Sequence, residues 1–254
     1  MELEQNIRLA LDQKKILLMT HLVLGYPSFE TNRAVIKQMV ENGVDLIELQ
    51  IPFSEPMADG PVILKANQEA IAAGVKVREC LALAAEMTAK YQIPFLIMTY
   101  YNILYRFGLP EFMQAAKAAG IRGFIVPDLP PEEGGRYLEL AKEYGIEPIM
   151  IFAPTSTEER MRQIASVAGG FIYCVARRGV TGKQTSFDSE FYAYLDRCRQ
   201  ATNLPLAVGF GISDKNDVDQ LSGRADIAVI GTQTIKLVEK EGADAVGPFI
   251  AGLR

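Results

Sequence analysis

Asp45-Leu-Ile-Glu-Leu-Gln-Ile-Pro-Phe-Ser-Glu-Pro-Met-Ala-Asp-Gly60 is the stretch on which the reading of this chain turns. It begins as the end of an apolar strand, 45–49, and breaks into a loop with two prolines, closed by Gly60-Pro61. Side chains alternate along a strand, so Leu46 and Glu48 share one side while Ile47 and Leu49 share the other. A strand apolar on both sides belongs to a parallel sheet covered by helices. Glu48 is then a carboxylate in an apolar layer, and burial of that kind raises a carboxyl toward the range of a general acid or base. Asp59, on the loop, can return to the same mouth as a second carboxylate. Two carboxylates in unlike surroundings suggest divided acid and base roles. Neither strand nor loop offers Glu48 a cation, which leaves Arg177 and Arg178 as candidates for a structural salt bridge across the mouth.

Seven more apolar runs surround this one, at 16–24, 95–99, 123–126, 148–152, 171–175, 204–208 and 227–230. Helical patterns separate them: Ser28 caps one with Val35, Ile36 and Met39 on one side, and others are expected near 62–72, 76–91 and 110–119. The first fourteen residues read as a short helix with Ile7, Leu9 and Leu11 as its packing side chains. Eight strands alternating with helices in 254 residues predict a single (β/α)8 TIM barrel with a short N-terminal helix, one domain over 1–254. An open doubly wound sheet is the rival, but no G-x-G-x-x-G follows the first strand.

Composition narrows the function classes. Hydrophobic residues make up 49% of the chain and charged residues 22%, as in a globular protein with a substantial core. A net charge of −5 gives no reason to expect nucleic acid, and no apolar run is long enough to span a membrane. Cys80, Cys174 and Cys198 are scattered and read as reduced thiols of a cytoplasmic protein. With one histidine, His21, and no C-x-x-C, there is no metal-ligand spacing.

In a barrel of this kind the active site lies at the C-terminal strand ends, with phosphate bound after strands seven and eight. Gly211 and the pair Gly231-Thr232 fall there, and Gly182 lies in the loop after strand six. Glycines let a phosphate oxygen approach the backbone, and amides opening a helix hold it. Tyr100 and Tyr173 end strands three and six, where core aromatics can bring hydroxyls to the rim. His21 lies near the mouth and reads as a packed, hydrogen-bonded histidine, and Asp128 as a turn-former. The loop Ala176-Arg-Arg-Gly-Val-Thr-Gly-Lys-Gln-Thr185 reads as a lid over an anionic ligand.

Three motifs, Pro52-Phe-Ser-Glu-Pro-Met-Ala-Asp-Gly-Pro61, Gly179-Val-Thr-Gly182 and Val208-Gly-Phe-Gly-Ile-Ser213, resemble those of the tryptophan synthase alpha chain family, from about Leu17 onward. The resemblance implies a lyase that cleaves indole-3-glycerol phosphate to indole and glyceraldehyde 3-phosphate. It implies no cofactor in this chain and an α2β2 assembly with a beta chain that carries pyridoxal phosphate. Glu48 becomes the acid/base, Asp59 the second catalytic carboxylate, and Tyr173 their neighbour. Tyr100 and Phe210 line the indole pocket, Thr181 helps close the loop, and Gly182, Gly211, Gly231 and Thr232 bind phosphate. Gln50 stands where the family usually has Gly, Glu55 for Asp, Ile103 for Pro and Thr232 for Ser. Positions 50–57 are expected to face the beta chain. A free-standing indole-producing lyase, a non-catalytic activating subunit and a sugar-phosphate epimerase are the alternatives; the last leans on metal-binding histidines that this chain lacks.

Overall fold

The structure, a computed structural model, describes residues 2–175, 187–209 and 211–254. After α1 (Leu3–Leu11) come β1 (Leu17–Val23), α2 (Phe29–Glu41), β2 (Leu46–Gln50), α3 (Pro61–Ala72), α4 (Val77–Lys90), β3 (Phe95–Met98), α5 (Tyr101–Phe107) and α6 (Leu109–Ala118). Then follow β4 (Gly123–Ile125), α7 (Gly135–Tyr144), β5 (Glu147–Phe152), α8 (Glu158–Ala165), β6 (Ile172–Val175), α9 (Ser189–Ala201), β7 (Leu206–Gly209), α10 (Lys215–Leu221) and β8 (Ile227–Ile230). α11 (Thr232–Glu241) and α12 (Val246–Ala251) finish the chain. All strand pairs are parallel, and β8 returns to β1, with Leu17 opposite Ile227 and Thr20 opposite Ile230. That last pairing closes the barrel and removes the open doubly wound alternative.

Alternation sorts each strand between two cores. Leu18, Ile47, Leu49 and Ile97 face outward to the helices, whereas Met19, Leu46, Leu96 and Val229 fill the barrel. Helices start where local chemistry allows. Ser28 accepts from the Thr31 N–H at 3.0 Å to cap α2, and Pro61 opens α3 at a position that needs no amide hydrogen.

α1 closes the N-terminal end of the barrel. Its buried residues are Leu3 and Ile7, each 1% exposed, one helical turn apart on a single face. Leu9, expected to pack, is 55% exposed, because the 7–9–11 alternation is a strand's spacing and not a helix's. Gly170 lets Leu3 in: it adopts φ +68°, and a Cβ there would lie 2.7 Å from the Leu3 side chain. A further helix, α5, precedes the one expected near 110–119; Asp128 accepts from its first amide, Tyr101 N–H, at 2.8 Å.

Candidate active site

β1 and β2 lie in register with Met19 opposite Leu46 and His21 opposite Glu48. Met19 and Leu46 both point into the barrel, and two residues further along, His21 and Glu48 do the same. His21 Nδ1 stands 3.1 Å from Glu48 Oε1, both side chains almost wholly buried. Glu48 is therefore not alone in an apolar layer: its partner is the histidine one strand away. Arg177 and Arg178, the partners considered from the sequence, lie outside the described residues.

Gln50 is the third inward residue of β2, fully buried and paired with Met98 of β3. The sequence pattern places it on a partner-facing loop, but β2 runs on through it. The outward surface of that loop is confined to Ser54, Glu55, Met57 and Ala58. Gln50 Nε2 donates to Asp59 Oδ2 at 2.7 Å, and the Tyr100 hydroxyl donates to the same oxygen at 3.2 Å. Asp59 does not cap α3, whose N-cap Gly60 has no side-chain bond; its carboxylate turns back into the mouth, as the sequence predicts.

The loop that delivers Asp59 is tied down from two sides. Asn67, buried on α3, accepts from the Phe53 N–H at 2.9 Å and donates to Ile63 O at 2.8 Å. The Ala58 N–H donates to the Tyr100 hydroxyl at 3.0 Å, and the Phe53 and Tyr100 rings stack 4.8 Å apart at 22°. Neither Asn67 nor Phe53 stands out in the sequence; an Asn two turns into a helix after a Pro-rich loop is the only signal for either.

The charges shift one another. Burial pulls the His21 imidazole down, but the Glu48 charge and hydrogen bond, the Asp59 charge and the nearby Gln50 side chain outweigh it, leaving His21 above its ordinary value. Burial lifts the Asp59 carboxyl and nearby Glu48 adds to that, while His21, Gln50 and Tyr100 restrain it. The Tyr173 hydroxyl is raised by burial and then by the charges of Glu48 and Asp59, so it faces both carboxylates as a neutral phenol. Tyr173 also fixes its neighbour on β7: a Cβ on Gly209 would come within 2.5 Å of the Tyr173 hydroxyl. Three buried polar atoms at this mouth have no hydrogen-bond partner among the described residues: His21 Nε2, Glu48 Oε2 and Gln50 Oε1.

The phosphate candidates sit at the same end. Gly209 and Val229 are opposite on β7 and β8, so Gly211 and Gly231 both lie two residues past that rung. Gly211 has φ +69° and open space where a Cβ would be. Thr232 opens the ten-residue α11, whose N-cap is Gly231, a helix start suited to an anion. Thr181, Gly182, Phe210 and the expected lid lie outside the described residues.

A family profile described as tryptophan synthase alpha chain matches residues 7–247. Among curated relatives, the tryptophan synthase alpha chain of Desulfotalea psychrophila is 63% identical over 254 residues, covering 100% of both chains. That of Desulforapulum autotrophicum is 57% identical, covering 99% of each. A structure of Mycobacterium tuberculosis tryptophan synthase superposes with TM-score 0.92 at 29% identity, covering 99% of this chain and 96% of that one. A structure from Aquifex aeolicus gives TM-score 0.92 at 33% identity, covering 100% and 98%.

Proposed function

The chain belongs to the tryptophan synthase alpha chain family, and from that premise we propose that it cleaves indole-3-glycerol phosphate to indole and glyceraldehyde 3-phosphate. The observation that carries this reading is the convergence of Glu48 and Asp59 on one mouth from opposite directions, one along β2 and one back along its loop. Retro-aldol cleavage needs a proton delivered to indole C3 and another removed from the hydroxyl on the carbon bonded to it. Glu48 does both in sequence, a role supported by its Oε2, which is buried and has no partner among the described residues. As the C3 proton is added, positive charge spreads over the ring to its nitrogen. Asp59 accepts the indole N–H and stabilises that charge. Loss of the hydroxyl proton then forms the aldehyde, the carbon–carbon bond breaks, and its electron pair returns to the ring as indole.

The other assignments follow the same frame. Tyr100, stacked on Phe53, walls the indole side; the family resemblance gives Phe210 the same role, and Tyr173 borders the carboxylates. Gly211, Gly231 and Thr232 hold the phosphate with Gly182, and Thr181 helps close the loop. The alpha chain family implies a beta-chain partner, with pyridoxal phosphate in that chain and an α2β2 assembly. Exposed Met57, 82% accessible on the loop that carries Asp59, supports a docking face joined to the site.

The test is indole release from indole-3-glycerol phosphate with and without a beta chain. Turnover that rises strongly with the partner supports the coupled reading. Full turnover alone, unchanged by the partner, favours a free-standing lyase. No indole under either condition removes the reaction and leaves an activating subunit.

A further inference from the structure

The geometry points to His21 as a positioning residue of this site, in a chain Glu48–His21–Gln50–Asp59 that aims one carboxylate and ties it to the other. The proposal rests on the roles given above to Glu48 and Asp59. Glu48 is close enough to disfavour ionisation of Asp59. Two buried anions of like sign need a cation or a chain of dipoles between them. His21 and Gln50 occupy that place.

His21 Nδ1 stands 3.1 Å from Oε1 of Glu48, and the other oxygen, Oε2, has no protein partner. The imidazole thus anchors one carboxylate oxygen and leaves its twin to address the substrate. At the far end, Gln50 Nε2 is committed to Asp59 Oδ2 at 2.7 Å. Its Oε1 and His21 Nε2 are both buried, and among the described residues neither has a hydrogen-bond partner; the Gln50 side chain favours the protonated imidazole, which could turn its second N–H to that oxygen. An imidazolium donates from both nitrogens, one toward Glu48 and one toward the Gln50 amide oxygen. The charges acting on His21 are Glu48 and Asp59, with the Tyr173 phenol opposite both. On its other flank Gly231 leaves van der Waals room beside His21, and a Cβ there would also touch Ile63 of α3; both are uncharged. A neutral imidazole would lose one of its two donors, and the linkage from Glu48 to Asp59 would open. No proton leaves His21 in the cycle; it holds one so that Glu48 can exchange one.

The chain has a single histidine, so with this chain alone isotope-labelled its imidazole can be followed by NMR without assignment, in the full-length protein bound to an unlabelled beta chain. The expected midpoint lies above 6.5 in the wild type and falls by about 1–3 pH units in Glu48→Gln, since that carboxylate is the main opposite charge. Gln50→Leu should move it in the same direction by less. For function, His21→Phe should lower kcat about 10–10²-fold with little change in KM, the cost of misaiming a reacting group. The wild-type kcat should decline at high pH as the imidazole loses its proton; His21→Gln keeps a donor and should recover part of the rate without that decline. An imidazole midpoint that Glu48→Gln leaves in place, or wild-type rates and pH profile in both His21 variants, overturns the proposal. If the wild type releases no indole, the lyase reading fails, and the titration still decides the contact. Should His21→Phe not fold, the wild-type and Glu48→Gln titrations carry the decision.

Discussion

At the N-terminal end of the barrel, Asp45 accepts from the Leu18 N–H at 2.8 Å and from the side chains of Lys14 and Arg254. Arg254 also donates to Gly43 O at 2.6 Å and Ile16 O at 3.1 Å. At the C-terminal end, His21, Glu48 and Gln50 are buried more deeply than that cluster, yet among the described residues each has one polar atom without a partner. Native proteins seldom leave buried polar atoms unpaired. One end uses its charge to hold strands together; at the other, the Oε2 oxygen of Glu48 keeps hydrogen-bonding capacity for something not made of protein. Barrels of this class divide stability and chemistry between their two faces in the same way.

The comparison can be broken by substitution, beginning where the effect is largest. Glu48→Gln should cut indole release by about 10²–10⁴-fold, the usual worth of a general acid/base, with the far-ultraviolet spectrum unchanged. Substantial turnover in that variant would take Glu48 out of the acid/base role and with it the contrast between ends. Ile7→Ala, in the barrel floor at 1% exposure, should lose about 2–5 kcal/mol of unfolding free energy in urea. Its turnover per folded molecule should stay at the wild-type value; a fall in kcat would show that the floor reaches the chemistry. Asp45→Ala strands the Leu18 amide and a part-buried guanidinium, and about 1–3 kcal/mol should go with them, again without loss of turnover.

The smallest effect sharpens the picture at the active end. His21 holds its proton more tightly folded than unfolded, so its contribution to stability is complete below about 6.5 and disappears as pH rises through the folded midpoint. Every pH unit that separates the folded midpoint from the unfolded one corresponds to about 1.4 kcal/mol. The stability difference between wild type and His21→Gln should therefore be largest in mild acid and shrink above neutrality. A difference that grows with pH would mean that the imidazole sits neutral beside Glu48. Asp59, also raised, acts in the same sense at lower pH, since ionising its buried carboxyl weakens the fold.

What the sequence reveals follows the range of the interactions. β8 is legible to the residue, and β2 to within one at each end, because buried strands between helices show as short apolar runs. Glu48 and Asp59 stand out because carboxylates next to such a run are expensive to bury. Gln50 falls onto a loop for want of one step of the same alternation past Glu48. The His21–Glu48 contact depends on the β1–β2 register, which no local pattern carries, so the sequence reads the histidine as packed and hydrogen-bonded without naming its partner. Leu3 escapes notice because its seat is Gly170, far along the chain.

A seat so distant in sequence orders events while the protein is being made. α1 is synthesised well before its partners: Arg8 donates to Asn203 O, Leu3 rests on Gly170, and Ile7 joins a cluster that includes Ile227 and Val229. The helix must therefore wait, its apolar face uncovered, until strands made last have left the ribosome. A segment that emerges first and docks last is a natural contact for a chaperone, and protection of its amides from exchange would mark the moment at which the ring of strands closes.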